Sequence, residues 1–138
     1  MRVALIQMMV TADRAGNLRT AAEKLRQAAE QGADIAVLPE MFCCPYENRC
    51  FRPYGEEAGG PAQEMLSQTA AETGMYVVGG SLPELEGGKV YNTSFVYGPD
   101  GAQIARHRKA HLFDIDVQGG QRFRESDTLS PGKRHYHL

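Results

Sequence analysis

A chain of 138 residues, with 15 Lys and Arg against 17 Asp and Glu for a formal net charge of −2, has the length of one domain and no basic excess to draw it to nucleic acid. Hydrophobic residues at 42% exclude a disordered chain, and the longest apolar runs, such as residues 35–38 and 75–78, are far too short to span a bilayer. Residues 1–7 have neither the apolar length nor the small-residue cleavage site of a secretion signal, so the expectation is a soluble, cytoplasmic protein with no membrane or nucleic-acid partner.

Residues 2–8 carry Val3, Ala4, Leu5 and Ile6 without a polar break, which predicts a strand apolar on both faces, as inside a parallel sheet. Asn17 is placed to cap a helix in which Leu18, Ala21, Ala22, Leu25, Ala28 and Ala29 recur at three- and four-residue steps, and Gly32 supplies the left-handed stop. Residues 34–39 predict a second buried strand, making a parallel pair with a right-handed crossover. Residues 40–60 have no period and form a long connection, of the kind that tends to carry function.

Pro61 opens a second helix with Met65, Leu66, Thr69 and Ala70 on its apolar face and Gly74 at its end. Residues 75–81 predict a third strand. Residues 90–97 and 103–109, flanking Gly98-Pro99-Asp100-Gly101, predict an antiparallel hairpin, supported by the alternation of Tyr91, Thr93, Phe95 and Tyr97. Beyond Leu112 the pattern is irregular. The fold class expected is α/β, a βαβαβ unit plus an antiparallel hairpin. Two helices cannot cover both faces of such a sheet.

Among side chains suited to chemistry, Glu40 stands just after Leu38-Pro39, at the carboxyl end of a parallel strand, where ligands bind in open α/β sheets. Beside the apolar Met41 and Phe42, a carboxyl there is expected to have the raised pKa of a general base. Position alone favours a solvated loop glutamate. Lys109 closes Arg106-His107-Arg108-Lys109; it suits a developing oxyanion, and it also suits a solvated basic strand end. His107 and His111 are four apart, a metal spacing only on a helix, and this segment reads as strand and loop.

Cys43, Cys44 and Cys50 are expected to be free thiols, because an odd count without a secretion signal argues against disulfides and no paired C-x-x-C suggests zinc. No histidine lies in their segment to activate them. The pairs Gly79-Gly80, Gly87-Gly88 and Gly119-Gly120 match no phosphate-binding motif and read as turns. Asn92-Thr93-Ser94 fits the glycosylation pattern, which is idle in a cytoplasmic chain.

Taken together, these pieces resemble the nitrilase superfamily of carbon–nitrogen hydrolases, and within it the omega-amidase-like branch. The resemblance runs from Val3-Ala4-Leu5-Ile6-Gln7-Met8 and Asn17-Leu18 through Asp34-Ile35-Ala36-Val37-Leu38-Pro39-Glu40-Met41-Phe42. It continues in Tyr91-Asn92-Thr93-Ser94, Gly98-Pro99-Asp100-Gly101 and Arg108-Lys109-Ala110-His111-Leu112-Phe113-Asp114-Ile115-Asp116-Val117, then in Phe123-Arg124-Glu125-Ser126 and Leu129-Ser130-Pro131-Gly132.

The resemblance implies part of an α-β-β-α sandwich, spanning residues 1–138 as a partial domain whose tail, residues 133–138, departs from the family pattern. It implies Glu40 as general base, Lys109 as stabiliser of the tetrahedral intermediate and Glu125 as the second glutamate that positions the reacting groups. The implied substrate is a small amide, with omega-amides of dicarboxylic acids favoured, and ammonia is released. No metal or organic cofactor is implied, and relatives commonly pair, so a homo-oligomer is an expectation.

The family's nucleophilic cysteine lies downstream of Ser-Pro-Gly, whereas the last cysteine here is Cys50. The expectation is therefore the N-terminal portion of a hydrolase with little or no turnover by itself, Cys43 and Cys44 being poorly placed as substitutes. The other reading is a non-catalytic module that binds a partner chain or a small carboxylate.

Overall fold

The computed structural model describes residues 1–133, so all of the divergent tail except Lys133 lies outside the described residues. One sheet carries five strands in spatial order: β1 (Val3–Leu5), β2 (Ile35–Leu38), β3 (Tyr76–Glu86), β4 (Lys89–Tyr97) and β5 (Gln103–Arg108). The first three are parallel; β3, β4 and β5 follow as an antiparallel meander. Helix α1 (Arg14–Glu30) links β1 to β2, and α3 (Pro61–Thr73) precedes β3 after a single-turn helix, α2 (Asn48–Phe51), in the long connection. This is the α/β class with its βαβαβ unit, and the hairpin is continuous with the same sheet.

Two right-handed crossovers stepping in one direction put α1 and α3 on the same face of the sheet, where they pack against each other. Ala21 and Leu25 of α1, Leu66 and Ala70 of α3, and Ala36, Leu38, Val77 and Phe95 of the sheet are all buried there. Gly79 permits the closest approach: a Cβ on it would sit 2.4 Å from Leu66 Cδ1.

The strand register places Val3, Leu5, Ile35, Val37, Tyr76 and Val78 on the opposite face. There Leu5 is 79% exposed, Val3 52% and Tyr76 44%. This corrects the expectation of a first strand buried on both sides. The strand is three residues long, lies at the sheet edge, and has no helix over its outer face among the described residues.

Other departures have local causes. Asn17 does not cap α1: the helix starts three residues earlier, with Asp13 extended at the N-cap position and making no side-chain capping hydrogen bond, because Arg14 and Ala15 already favour the helix. Asn17 instead sits buried in the first turn, where its Oδ1 accepts the Thr11 N–H at 2.9 Å and its amide donates to the Thr11 carbonyl at 2.8 Å. Helix α3 starts at Pro61 and ends at Gly74, as expected, with Gly74 at φ 70°. Its free N–H groups are taken by a buried side chain from the preceding loop: Glu56 accepts from the Ala62 and Gln63 N–H groups at 3.0 and 2.9 Å, with Arg14 at 2.9 Å to balance its charge.

The third strand runs past residue 81 to Glu86 and turns through Gly87 and Gly88, both at positive φ, into β4. The irregular stretch after Leu112 holds a two-stranded ribbon, β6 (Asp114–Asp116) and β7 (Arg122–Arg124), and a single 3-10 turn at Glu125–Asp127.

The basic strand end at Arg106–Arg108 is not simply solvated. Glu84, 2% exposed, accepts from Arg108 Nε and Thr93 Oγ1 at 2.8 Å each and from Arg106 Nη1 at 3.0 Å, while the Arg108 guanidinium lies 3.9 Å from the centre of the Tyr91 ring. Burial alone would raise the Glu84 carboxyl, but the hydrogen bonds and charges of Arg108, Thr93 and Arg106 outweigh it and hold the group below its ordinary value. A carboxyl depressed by folding contributes stability above its unfolded value, about 4.3, and loses it as pH falls through the folded one. The stability gap between the wild type and Glu84→Gln, read as urea midpoints, should therefore be wide at neutral pH and narrow as pH drops below about 4. An unchanged gap in acid would show that Glu84 contributes nothing through its charge.

Candidate active site

Three chain segments converge beyond the carboxyl end of β2. Glu40 follows Leu38-Pro39 directly; Lys109 follows β5; Glu125 opens the 3-10 turn after β7. Lys109 is fixed through its backbone, donating its N–H to the Asn92 carbonyl at 2.8 Å and accepting the Gly132 N–H at 2.9 Å. Its ammonium then bridges the two carboxylates, 2.9 Å from Glu40 Oε1 and 3.0 Å from Glu125 Oε1. Lys109 thus contacts both of the other predicted site residues, which lie 85 positions apart (125 − 40) in sequence.

The two carboxylates have unlike surroundings. Glu125 is fully buried; its Oε1 also accepts the Phe113 N–H at 2.8 Å, and its Oε2 has no hydrogen-bond partner. Tyr46 faces it, and the Tyr46 ring packs 5.3 Å from that of Phe123. Burial, and then the Glu125 carboxylate that it faces, push the Tyr46 hydroxyl well above its ordinary value, so it keeps its proton.

The Glu40 side chain is about half exposed, while the expected apolar neighbours Met41 and Phe42 turn into the core. Burial pulls the Lys109 ammonium down, but the hydrogen bonds and charges of Glu40 and Glu125 outweigh this and hold it above the usual lysine value. It is therefore a cation at neutral pH.

An open cleft of about 180 Å³ lies against this group, lined by Glu40, Ser81, Asn92, Ser94, His107 and Lys109. Asn92 and Ser81, not singled out from sequence as site residues, are both buried and hydrogen-bonded toward Glu40. The available signal was a polar amide inside a strand, a position that asparagine seldom fills. A larger groove, about 530 Å³, runs between β1 and α1, but its only charged groups are Arg2 and Lys24, so it brings no acid and base together.

Cys43 and Cys44 are 1% exposed and line neither cavity. Burial pushes both thiols up to about 12, so both keep their protons at pH 7. His107 lines the cleft and His111 is exposed; among the described residues, no group of three or more His, Cys, Asp and Glu side chains is placed to hold a metal ion. Nor is any helix among them long and apolar enough to cross a membrane.

The family model for carbon–nitrogen hydrolases matches residues 2–138. The chain belongs to the carbon–nitrogen hydrolase family. It is 52% identical over 132 residues to the omega-amidase NIT2 of Danio rerio, a match covering 96% of this chain and 48% of that protein. The human omega-amidase NIT2 is 48% identical over 131 residues, covering 95% of this chain and 48% of the relative.

Among solved structures, Nit3 of Saccharomyces cerevisiae, described as a member of branch 10 of the nitrilase superfamily, aligns with a TM-score of 0.82 at 37% identity, over 96% of this chain and 48% of that one. A cysteine-to-alanine mutant of the amidase from Nesterenkonia sp. AN1 in complex with butyramide aligns at 0.77 and 25% identity, over 97% of this chain and 49% of that one. The chain spans about half the length of these relatives.

Proposed function

We propose that residues 1–138 supply the Glu40–Lys109–Glu125 part of an amidase active site that releases ammonia from small amides, with omega-amides of dicarboxylic acids as the favoured class. The observation that carries this reading is the Lys109 ammonium held between two carboxylates, one buried and one open to the cleft. Glu40, on the open side, accepts the proton of a cysteine thiol; the thiolate attacks the amide carbon; and Lys109 faces the oxyanion of the tetrahedral intermediate. The proton on Glu40 then passes to the leaving nitrogen, which departs as ammonia. Water, deprotonated by Glu40, hydrolyses the thioester and restores the thiol. Glu125, enclosed and out of the cleft, positions Lys109.

The nucleophile in this reading comes from a segment that follows Ser130-Pro131-Gly132 in the family pattern. Cys43 and Cys44 lack both the access and the thiolate to replace it. The open sheet face with Leu5 and Tyr76 favours a second reading, a non-catalytic module that pairs with another chain through that surface.

Fusing residues 1–132 to the part of the Danio rerio relative that lies beyond the match separates the two. The fusion is expected to release ammonia from the monoamide of a four-carbon dicarboxylic acid, the 138-residue chain alone to release little or none, and Glu40→Gln to lower the fusion's kcat by about 10²–10⁴-fold. A fusion that unfolds cooperatively yet releases no ammonia removes the hydrolase reading. A Glu40→Gln fusion of full activity removes the role given to that residue.

A further inference from the structure

Glu40 is gripped from both sides by a single residue of the neighbouring strand. The Ser81 N–H donates to the Pro39 carbonyl at 2.9 Å, the Met41 N–H donates to Ser81 Oγ at 3.3 Å, and the Phe42 N–H donates to the Ser81 carbonyl at 3.1 Å. Between these anchors the chain bends sharply, with Met41 at φ 51°, a left-handed conformation that a long side chain adopts only when its surroundings enforce it. The Ser81 hydroxyl, having accepted from Met41, donates its own proton to Asn92 Oδ1. That fixes which end of the Asn92 amide is which, and its NH2 is left to donate to Glu40 Oε1 at 2.7 Å. Both residues are nearly inaccessible, Ser81 at 4% and Asn92 at 3%.

Glu40 Oε1 thus receives two donors, Asn92 Nδ2 and Lys109 Nζ, while Oε2 receives none among the described residues. A carboxylate with one oxygen doubly occupied takes up a proton on the other. We propose that Ser81 and Asn92 are positioning residues for Glu40: the chain Met41 N–H to Ser81 hydroxyl to Asn92 amide to Glu40 Oε1 holds the carboxyl in one orientation and leaves Oε2 as its proton-accepting oxygen. This rests on the role given to Glu40 above and adds to it a choice of oxygen and the means by which that choice is enforced. The relay belongs to the protein side of the cleft, since neither residue needs to touch substrate to act.

The 138-residue chain itself tests this, with 15N-labelled protein and the Asn92 side-chain amide as the probe, assigned by its disappearance in Asn92→Ser. One of its two protons is expected at low field, shifting as a carboxylate titrates, and this pH response should vanish in Glu40→Gln while other side-chain amides keep theirs. In Ser81→Ala the low-field shift should be lost, and Ser81→Thr, which keeps a hydroxyl, should restore it. A packing role for Ser81 and Asn92 predicts no such pH response and no rescue by threonine.

An Asn92 amide indifferent to pH in the wild type, or equally responsive in Glu40→Gln, overturns the proposal. Should Ser81→Ala not fold, the Glu40→Gln comparison decides alone, because that side chain is about half exposed and its replacement leaves the core untouched. No turnover enters the measurement, so the relay can fail while the hydrolase reading stands, and an inactive fusion leaves the relay intact.

Discussion

Replacing Lys109 by methionine is expected to cost about 3 kcal/mol of folding stability, in the range found when one partner of a buried ion pair is removed. The loss falls mainly on Glu125. That carboxylate is fully buried, its Oε1 is shared between the Lys109 ammonium and the Phe113 N–H, and its Oε2 has no partner. Among the described residues Lys109 is the one cation in contact with it, so methionine leaves a fully buried charge with nothing to balance it.

Adding Glu125→Gln removes that charge. The double variant should therefore be more stable than Lys109→Met alone, a coupling that a urea titration of the four proteins reads directly. Strictly additive losses would mean that the two side chains do not interact in solution. The pH dependence has a definite sign. An ammonium raised by its partners contributes stability that is fully present below the unfolded lysine value of about 10.4 and lost as pH climbs through the folded one, so the part of the Lys109→Met cost that comes from the ammonium should shrink in strong alkali.

The same three residues show how far a sequence can be read and where it stops. Glu40 was legible because a short apolar run ending in Leu-Pro fixes the carboxyl end of a parallel strand, and the chemistry of open α/β sheets gathers there. Lys109 was legible as the end of a hairpin strand marked by Gly98-Pro99-Asp100-Gly101. Glu125 came only through resemblance, since the stretch after Leu112 has too few residues per strand for a period, and β6 and β7 are three residues each. The burial of the first strand was misjudged for a related reason: Val3 and Leu5 are as apolar as residues covered on both sides, and nothing local says that α1 and α3 share one face. That follows from the direction in which two crossovers step, a property of the whole topology.

The bonds around Glu40 were hidden differently. Ser81 and Asn92 are ordinary polar residues whose meaning depends on a contact between neighbouring strands, 11 positions apart in sequence, and pattern arguments weigh apolar spacing and not which hydroxyl meets which amide. Glu56 capping α3 from outside the helix belongs to the same class, because a cap sought at the residue before Pro61 finds only Gly60.

Substituting Gly132 by alanine is expected to cost about 3 kcal/mol, although it adds a single methyl group. Leu129 to Gly132 cross the end of β5, held by the Ser130 N–H to the Val90 carbonyl at 2.8 Å and the Gly132 N–H to the Lys109 carbonyl at 2.9 Å. A Cβ on Gly132 would lie 2.4 Å from the Arg108 carbonyl oxygen and 2.5 Å from Arg108 Cβ. Backbone cannot swing aside as the end of a side chain can, and Arg108 is tied down by Glu84, Glu86 and the Tyr91 ring. The crossing segment must lift, and the two hydrogen bonds that seat it are lost with it.

A control with the same chemical change is Gly98→Ala, whose added carbon would meet nothing nearer than Asp100 Oδ1 at 3.3 Å and should change stability by less than about 1 kcal/mol. The two variants differ in a second observable. Lifting residues 129–132 frees the Lys109 carbonyl and loosens its peptide, so the Lys109 N–H, which donates to Asn92, should exchange with solvent faster in Gly132→Ala and at the wild-type rate in Gly98→Ala. Equal protection in both would place the anchor of Lys109 in β4 alone. Faster exchange in Gly132→Ala makes the crossing segment a part of the site's geometry, and ties the position of the ammonium to a glycine that touches neither carboxylate.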